Sequence, residues 1–349
     1  MHMADALLSP AVGATFWAGT AVTIGYASRK LKKEIDDCKI PLMGVVGAFI
    51  FASQMINFTI PGTGSSGHLG GGMILAILLG PHAAFLVMAS VLSVQALFFA
   101  DGGLLALGCN IWNLGIYPCY IAYPLIYKPL AGDASNQRRV FAAALASAVI
   151  GLQLGAFSVV FQTLLSGKSE LAFGAFLLLM LPIHLAIGIV EGLVTAGVVR
   201  YVYAVRPEII ESCKPCDAPP KRLPLKNILV AFVVMAAVTG GVFSWFSSAY
   251  PDGLEWSIER ITGKAQLPET GNGVATTLQG VQEKTALLPD YDFKPAGEQA
   301  GEADAGETAS SPTVNAGATV SGLLGAAMVL ILSLGAGYMI RALKKTKLT

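Results

Sequence analysis

The stretch LAFGAFLLLMLPIHLAIGIVEGLVTAGVVRYVY, residues 171–203, decides the class of this protein. It is longer than the roughly 20 apolar residues that a helix needs to cross the hydrocarbon core of a bilayer. The whole chain has the same character, since 54% of its 349 residues are hydrophobic and only 13% are charged. A soluble domain carries about 25% charged residues. The sequence therefore predicts an all-α integral membrane protein.

Further apolar runs predict about nine transmembrane helices, seven before a stretch rich in Pro and Lys and two after it. The predicted segments are 11–28, 40–60, 69–80, 82–100, 104–127, 139–166, 171–203, 227–249 and 318–340. This pattern divides the chain into three parts. They are a bundle of seven helices (1–203), a cytoplasmic linker (204–226) and a two-span unit (227–349) that encloses an extracytoplasmic segment (250–317).

Clusters of Lys and Arg orient these helices, because basic residues collect in cytoplasmic loops. With nine crossings and an outer N-terminus, all four clusters fall on the cytoplasmic side. The clusters lie at 29–33, 128–139, 200–226 and 341–347. We therefore expect a multi-pass protein of the bacterial or archaeal cytoplasmic (inner) membrane, with its N-terminus outside and its C-terminus in the cytoplasm.

The first two residues, Met1 and His2, form a nitrogen chelator. The terminal amine, the backbone nitrogen of His2 and a nitrogen of its ring can close adjoining rings around one metal ion. A planar set of nitrogen donors suits Ni(II) or Cu(II) rather than Mg, Ca or structural Zn. In the predicted topology His68, in the glycine-rich loop 61–70, lies on the same side of the membrane. We expect Met1, His2 and His68 to hold one metal ion, although an accidental histidine and a solvated turn would give the same residues.

Five further polar residues are candidates for supporting this metal site. Asp101 and Asn113 could orient a ligating imidazole, whose second ring nitrogen normally needs a partner. His184 and Glu191 lie on one face of the same helix, where ionisable residues inside a membrane are commonly functional. A buried pair that braces the bundle accounts for them almost as well. Asp5 fits either a helix start or a partner of the chelate.

Three other residues that attract attention are expected to lie outside the metal chemistry. His82, beside Pro81, is predicted at an inner turn away from the site. Cys213 and Cys216 in the linker are interpreted as free thiols, because a tetrahedral thiolate site needs two more ligands and the sequence offers none nearby.

Several motifs, in order, make the chain resemble the substrate-capture component of energy-coupling-factor (ECF) nickel and cobalt transporters, of the NikM/CbiM type. They are MHMADALLSP (1–10), HLGGGM (68–73), GPHAA (80–84), QALFFADGG (95–103), GCNIWN (108–113) and HLAIGIVEG (184–192). Two later motifs, PDGLEW (251–256) and PDYDF (289–293), resemble the small two-span accessory component of the NikN (PDGLE) type. In this chain the two components are fused.

The resemblance implies a substrate-specific component of an ATP-driven nickel uptake transporter, which is not itself an enzyme. It also implies a square plane around Ni(II), formed by the Met1 amine, the His2 amide nitrogen, the His2 ring and the ring of His68. The metal is then a transported substrate and not a cofactor. The implied partners are a transmembrane coupling protein (EcfT/NikQ type) and a cytoplasmic ATPase (EcfA/NikO type), with no nucleic acid. The sequence itself contains no GxxxxGK[ST] motif that would bind ATP phosphates.

From the sequence, three other functions stay open. The equivalent cobalt transporter, supplying cobalamin synthesis, uses nearly the same plane of donors, and Co(II) is a possible substrate here. A membrane metal sensor would bind outside and signal through the linker 204–226. An intramembrane metalloenzyme would use His184 and Glu191.

Overall fold

The computed structural model describes residues 2–132, 136–168, 170–210, 224–265, 267, 273–293 and 315–345. Met1, Cys213 and Cys216 lie outside these residues, as does most of the predicted linker. The described chain is predominantly helical, as the sequence predicts. Its helices are α1 (Pro10–Glu34), α2 (Lys39–Gln54), α3 (Gly72–Leu79), α4 (Pro81–Phe98), α5 (Leu107–Ile111), α6 (Lys128–Ala131), α7 (Gln137–Leu165), α8 (Phe173–Val205), α9 (Leu225–Gly241), α10 (Gly253–Thr262), α11 (Gly273–Thr285) and α12 (Ala316–Lys345).

Each of the nine apolar segments predicted from the sequence overlaps one of these helices. Four of them, α4, α7, α8 and α12, are long and apolar enough to cross a membrane, and α2 and α9 are shorter apolar helices. The structure thus supports a helical membrane protein in the residues that it describes. The number of nine crossings stays a prediction.

Glycine and proline set the local course of the bundle. Gly80 has a left-handed φ of 78° and separates α3 from α4, which begins at Pro81. Between α5 and α6 the chain continues as a π-helix, Trp112–Tyr127, which contains Pro118 and Pro124. Proline has no N–H to donate, so two positions in this segment cannot donate a helical backbone hydrogen bond.

The two accessory helices, α9 and α12, pack against each other and against α2 of the bundle. Their backbones meet at Gly240 and Gly322, where a Cβ on Gly322 would lie 2.3 Å from the carbonyl oxygen of Gly240. Such contacts through small residues are typical of helices associating in membranes. They bring the segment between α9 and α12 close to the face of the bundle that carries the glycine-rich loop.

The glycine-rich loop contains a small hairpin that the sequence reading did not predict. Strands β1 (Phe58–Ile60) and β2 (Ser65–Gly67) pair antiparallel. The turn between them uses left-handed Gly62 and Gly64, with φ of 77° and 73°, which glycine adopts without strain. His68 follows β2 directly, so the hairpin fixes where this histidine emerges.

Candidate metal-binding site

The chain just after Met1 is fixed by the residue that follows His2. Met3 is fully buried, and its N–H donates to Oδ1 of Asn110 at 2.8 Å. Its carbonyl accepts from Nδ2 of Asn110 at 3.3 Å and from the N–H of Gly103 at 2.9 Å. The side-chain amide of Asn110 therefore pairs with both backbone groups of Met3, and His2 is held at a defined place.

Two glycines let this N-terminal segment lie against the loop before α5. A Cβ on Gly102 would lie 3.3 Å from Cβ of His2, and one on Gly103 would overlap the carboxylate of Asp5 at 1.8 Å. Asp5 itself is buried, and its Oδ1 accepts from the N–H of Ala106 at 2.9 Å. Asp5 thus fastens the N-terminal segment to the loop instead of contacting the His2 ring.

The rings of His2 and His68 are neighbours, although the sequence separates them widely. Their centroids lie 5.0 Å apart and their planes are inclined by 22°. Burial lowers the pKa of the His2 imidazole from 6.5 to about 3 and that of His68 to about 4. Both rings are therefore neutral at pH 7, the form in which imidazole binds metals.

The ring nitrogens of the two histidines are oriented differently. Nδ1 of His68 lies 3.0 Å from the carbonyl oxygen of Leu69, which can only accept, so Nδ1 carries the proton and Nε2 carries the lone pair. Nδ1 of His2 lies 3.4 Å from Oδ1 of Asp101. Nε2 of His2 is buried without a hydrogen-bond partner among the described residues, and so is Oε1 of Gln95, a residue beside the His2 ring.

A chain of side-chain amides connects the surroundings of His2 to the loop of His68. Nε2 of Gln95 donates to Oε1 of Gln54 at 2.9 Å, and Nε2 of Gln54 donates to the carbonyl of Gly70 at 2.7 Å. On the other side of the same peptide, the N–H of Gly70 donates to Glu191 at 2.7 Å. The carboxylate of Glu191 also accepts from the backbone of Gly71 and Met73. Glu191 of α8 therefore holds the backbone that follows His68.

The cavity next to His68 is bounded by residues from distant parts of the chain. His184 on α8 and Asp252 from the segment after α9 line it together with Gly67, His68, Gly70, Leu114, Leu152, Ile187 and Gly253. His184 is almost fully buried, and its Nδ1 lies 2.8 Å from the carbonyl of Met180. That carbonyl accepts a hydrogen bond from Nδ1–H, so Nε2 is the nitrogen that carries the lone pair.

The motif Pro251-Asp-Gly-Leu-Glu255 has a structural role at each position. The carbonyl of Pro251 accepts from the N–H of Ser66 on β2 at 2.8 Å. Oδ1 of Asp252 caps α10 by accepting from Leu254 and Glu255 at 2.8 and 2.9 Å, and Glu255 returns a contact to the N–H of Asp252 at 3.3 Å, which completes a capping box.

The remaining positions of this motif explain its close approach to the bundle. A Cβ on Gly253 would lie 2.5 Å from Ile183 and 3.3 Å from His184, so only glycine fits. Leu254 is buried. Just beyond it, Nε1 of Trp256 donates to the carbonyl of Thr63 at 3.1 Å, and the segment thus packs against both the hairpin and α8.

The described residues 273–293 pack on the His2 side of the pair. Nε2 of Gln282 donates to the carbonyls of Ala96 and Gly102 at 2.8 and 2.7 Å. The Tyr291 ring stacks on Phe99 with centroids 5.0 Å apart, and its hydroxyl donates to Asp101. Residues C-terminal to α9 therefore contact the hairpin before His68 and the 96–102 segment beside His2.

The remaining sequence candidates lie at varying distances from the pair. Nδ2 of Asn113 lies 3.8 Å from the sulfur of Met3 and its amide pairs with Gln162, so it supports the anchor of the N-terminal segment. His82 contacts Tyr120 and Tyr26 at the start of α4. Sequence reasoning missed Met3, Asn110, Gln54, Gln95 and Asp252. All of them except Gln54 lie in motifs that carry the resemblance, which did not assign them to the site.

Comparison with known proteins places these features in a family. Residues 2–209 match the family model described as the cobalt uptake substrate-specific transmembrane region, and residues 226–342 match the PDGLE domain. The fused nickel transport protein NikMN of Rhodobacter capsulatus is 32% identical over 317 residues, covering 83% of this chain and 88% of the relative. The cobalt transport protein CbiM of Sorangium cellulosum is 30% identical over 228 residues, covering 60% and 95%.

A solved structure supports the same relationship. The crystal structure of a truncated transition metal transporter is 29% identical and superposes with a TM-score of 0.51. It covers 58% of this chain and 99% of the solved one. The likeness is therefore confined to about the length of the bundle.

Proposed function

Because the chain belongs to the family of cobalt-uptake substrate-specific transmembrane regions, here followed by a PDGLE domain, we propose that it is the metal-capture component of a nickel uptake transporter. The observation that carries the proposal is the meeting of His2 and His68. Two neutral imidazoles face each other beside a fixed N-terminal segment.

The proposed site consists of the Met1 amine, the His2 amide nitrogen, the His2 ring and the His68 ring. Among the residues that the structure describes, no three His, Cys, Asp or Glu side chains group as a metal site. The tetragonal nitrogen field of the proposed site favours Ni(II) and Cu(II).

The buried atoms without partners fit this ligand set. Nδ1 is the His2 ring nitrogen nearer its own backbone, so Nδ1 closes the chelate ring and Nε2–H points away from the metal. Oε1 of Gln95, which also lacks a partner, is the nearby acceptor for that proton. Metal-bound imidazoles normally donate their second N–H to such an acceptor. The amide pair of Gln54 and Gln95 then orients the His2 ring from behind, whereas Asp101 lies on the metal side of the ring, 3.4 Å from Nδ1.

We propose that residues 1–203 form the seven-helix capture bundle with an outer N-terminus, that 204–226 form a cytoplasmic linker and that 227–349 form the accessory unit. The proposal of nine crossings is supported by the helices that overlap all nine apolar segments. Since the sequence has no phosphate-binding P-loop, a transmembrane coupling protein and an ATPase would drive transport. The accessory segment would control access to the site that it covers.

Cobalt is the second candidate substrate. The matching family model is described by cobalt uptake and so is the Sorangium relative. The Rhodobacter relative, which covers 83% of this chain, is described by nickel transport. Nickel is therefore our first choice, and titration of the purified protein with both metals separates them.

Metal accumulation in cells tests the transport function. We expect cells carrying the chain together with a coupling protein and ATPase of this transporter class to accumulate nickel-63, and cells carrying it with an ATPase unable to hydrolyse ATP not to do so. A sensor or an intramembrane enzyme would produce no ATP-dependent accumulation. Equal uptake with the active and inactive ATPase would contradict the proposal.

Glu191→Gln should weaken nickel binding without removing a proposed ligand. The amide offers one acceptor oxygen where the Glu191 side chain has two, so it holds the Gly70 to Met73 backbone less firmly. We expect a loss of about 10- to 100-fold in affinity, as for other outer partners of metal ligands. Hydrogen exchange in residues 68–75 should rise in the variant. Unchanged exchange and unchanged affinity would show that Glu191 does not position His68.

A further inference from the structure

The segment after α9 places Asp252 in the wall of the cavity next to His68, one of the proposed ligands. Asp252 shares the cavity with His68 and His184. It is joined to the hairpin by a bridge to Ser66, whose hydroxyl donates to the carbonyl of Tyr250 at 2.7 Å. These bonds hold the carboxylate-bearing segment beside the residue that precedes His68 by two positions.

The proposed site needs such a group for electrostatic reasons. Ni(II) bound to two neutral imidazoles, an amine and one deprotonated amide keeps a net positive charge in a buried place. Burying a charge is unfavourable unless an opposite charge is near. Asp101 supplies one on the His2 side, 3.4 Å from that ring, and Glu191 is engaged by the backbone of the His68 loop.

The position of Asp252 keeps it ionised and fixed. Its Oδ1 accepts two backbone N–H groups at the start of α10, and both the hydrogen bonds and the helix dipole favour the carboxylate form there. The close packing of Gly253 on Ile183 and His184 leaves the segment little freedom to withdraw while it remains docked.

We propose that Asp252 is a positioning residue of the metal site, whose negative charge offsets that of the bound cation on the His68 side. This inference rests on the proposed function. It makes tight capture of a divalent transition metal depend on the accessory unit, because the bundle alone lacks this carboxylate. Asp252 thus has two roles, since the same side chain caps α10 and offsets the positive charge of the bound metal.

The experiment separates the charge of Asp252 from its capping role. Asn and Ser cap helices about as well as Asp, so Asp252→Asn and Asp252→Ser keep the cap and lose the charge. Glu259→Gln, on the exposed side of the same helix, is the matched control for losing one negative charge. Ni(II) affinity is measured by calorimetric titration of the purified full chain, and folding by thermal unfolding of the metal-free protein.

We expect both Asp252 variants to lose about 10- to 100-fold in Ni(II) affinity, with a melting temperature close to that of the wild type, and Glu259→Gln to bind normally. Wild-type affinity in Asp252→Asn, or an equal loss in Glu259→Gln, would overturn the inference while leaving the proposed function intact. If His68→Ala binds Ni(II) like the wild type, the proposed function itself fails, whatever the Asp252 variants do.

Discussion

Replacing His68 with alanine should abolish Ni(II) binding by the purified protein. The ring is one of only two imidazoles in the proposed plane, and its lone pair already points away from the Leu69 carbonyl. Removal of a ligand must cost more than removal of an outer partner, which costs 10- to 100-fold. We therefore expect an affinity loss of more than about 100-fold, measured by calorimetric titration.

His82→Ala is the matched control for this change. It removes a histidine of the same chain, but His82 on α4 contacts Tyr120 of the π-helix and Tyr26 of α1, away from the His2 ring. Its Ni(II) affinity should equal that of the wild type. A His68→Ala protein that folds and still binds Ni(II) tightly would refute the assignment of His68.

Changes at Met1 or His2 should reduce Ni(II) affinity about as much as His68→Ala does. His2→Ala removes the ring of the chelate, and a Gly-Gly extension before Met1 moves the terminal amine away from the His2 amide. Two residues are needed in the extension, because a single one would place the histidine third from the amine and create a new tripeptide chelator. In both proteins we expect Ni(II) binding to fall by more than about 100-fold.

Intact mass of the wild-type protein provides the control for this test, since it establishes whether the purified chain starts at Met1. Thermal unfolding shows whether the variants fold. The Met3 anchor makes folding of His2→Ala expected, because its bonds to Asn110 and Gly103 involve the backbone. Tight Ni(II) binding by the extended protein would exclude the amine from the site.

The helices could be predicted from the sequence because each depends on a local run of apolar residues. Residues 171–203 and the helix Phe173–Val205 differ by only two positions at each end. The hairpin around Gly62 was missed, because its strands of three residues each are too short to show an alternating pattern. The placement of His68 in this loop was predicted from the membrane topology and did not require the strands to be recognised.

The neighbours of the site were harder to predict because they come from long-range packing. Asn110 meets Met3 across 107 positions of the sequence, and no local pattern indicates that pairing. Asn113 was chosen from the same motif, but its partner is Gln162. The local sequence around Asp252 indicates only a helix cap. Its place beside the hairpin and the cavity of His68 arises from long-range packing, when the segment after α9 docks on the hairpin. The lowered pKa of His2 is likewise a consequence of burial.

X-ray absorption at the nickel K-edge tests the central claim most directly. The full-length protein, with Met1 verified as its first residue, is loaded with one equivalent of Ni(II). The proposed site predicts a four-coordinate, square-planar spectrum with nitrogen neighbours only and the multiple scattering of two imidazoles. His68→Ala should lose one imidazole from that signal. A six-coordinate spectrum rich in oxygen, or any sulfur neighbour, would contradict the account.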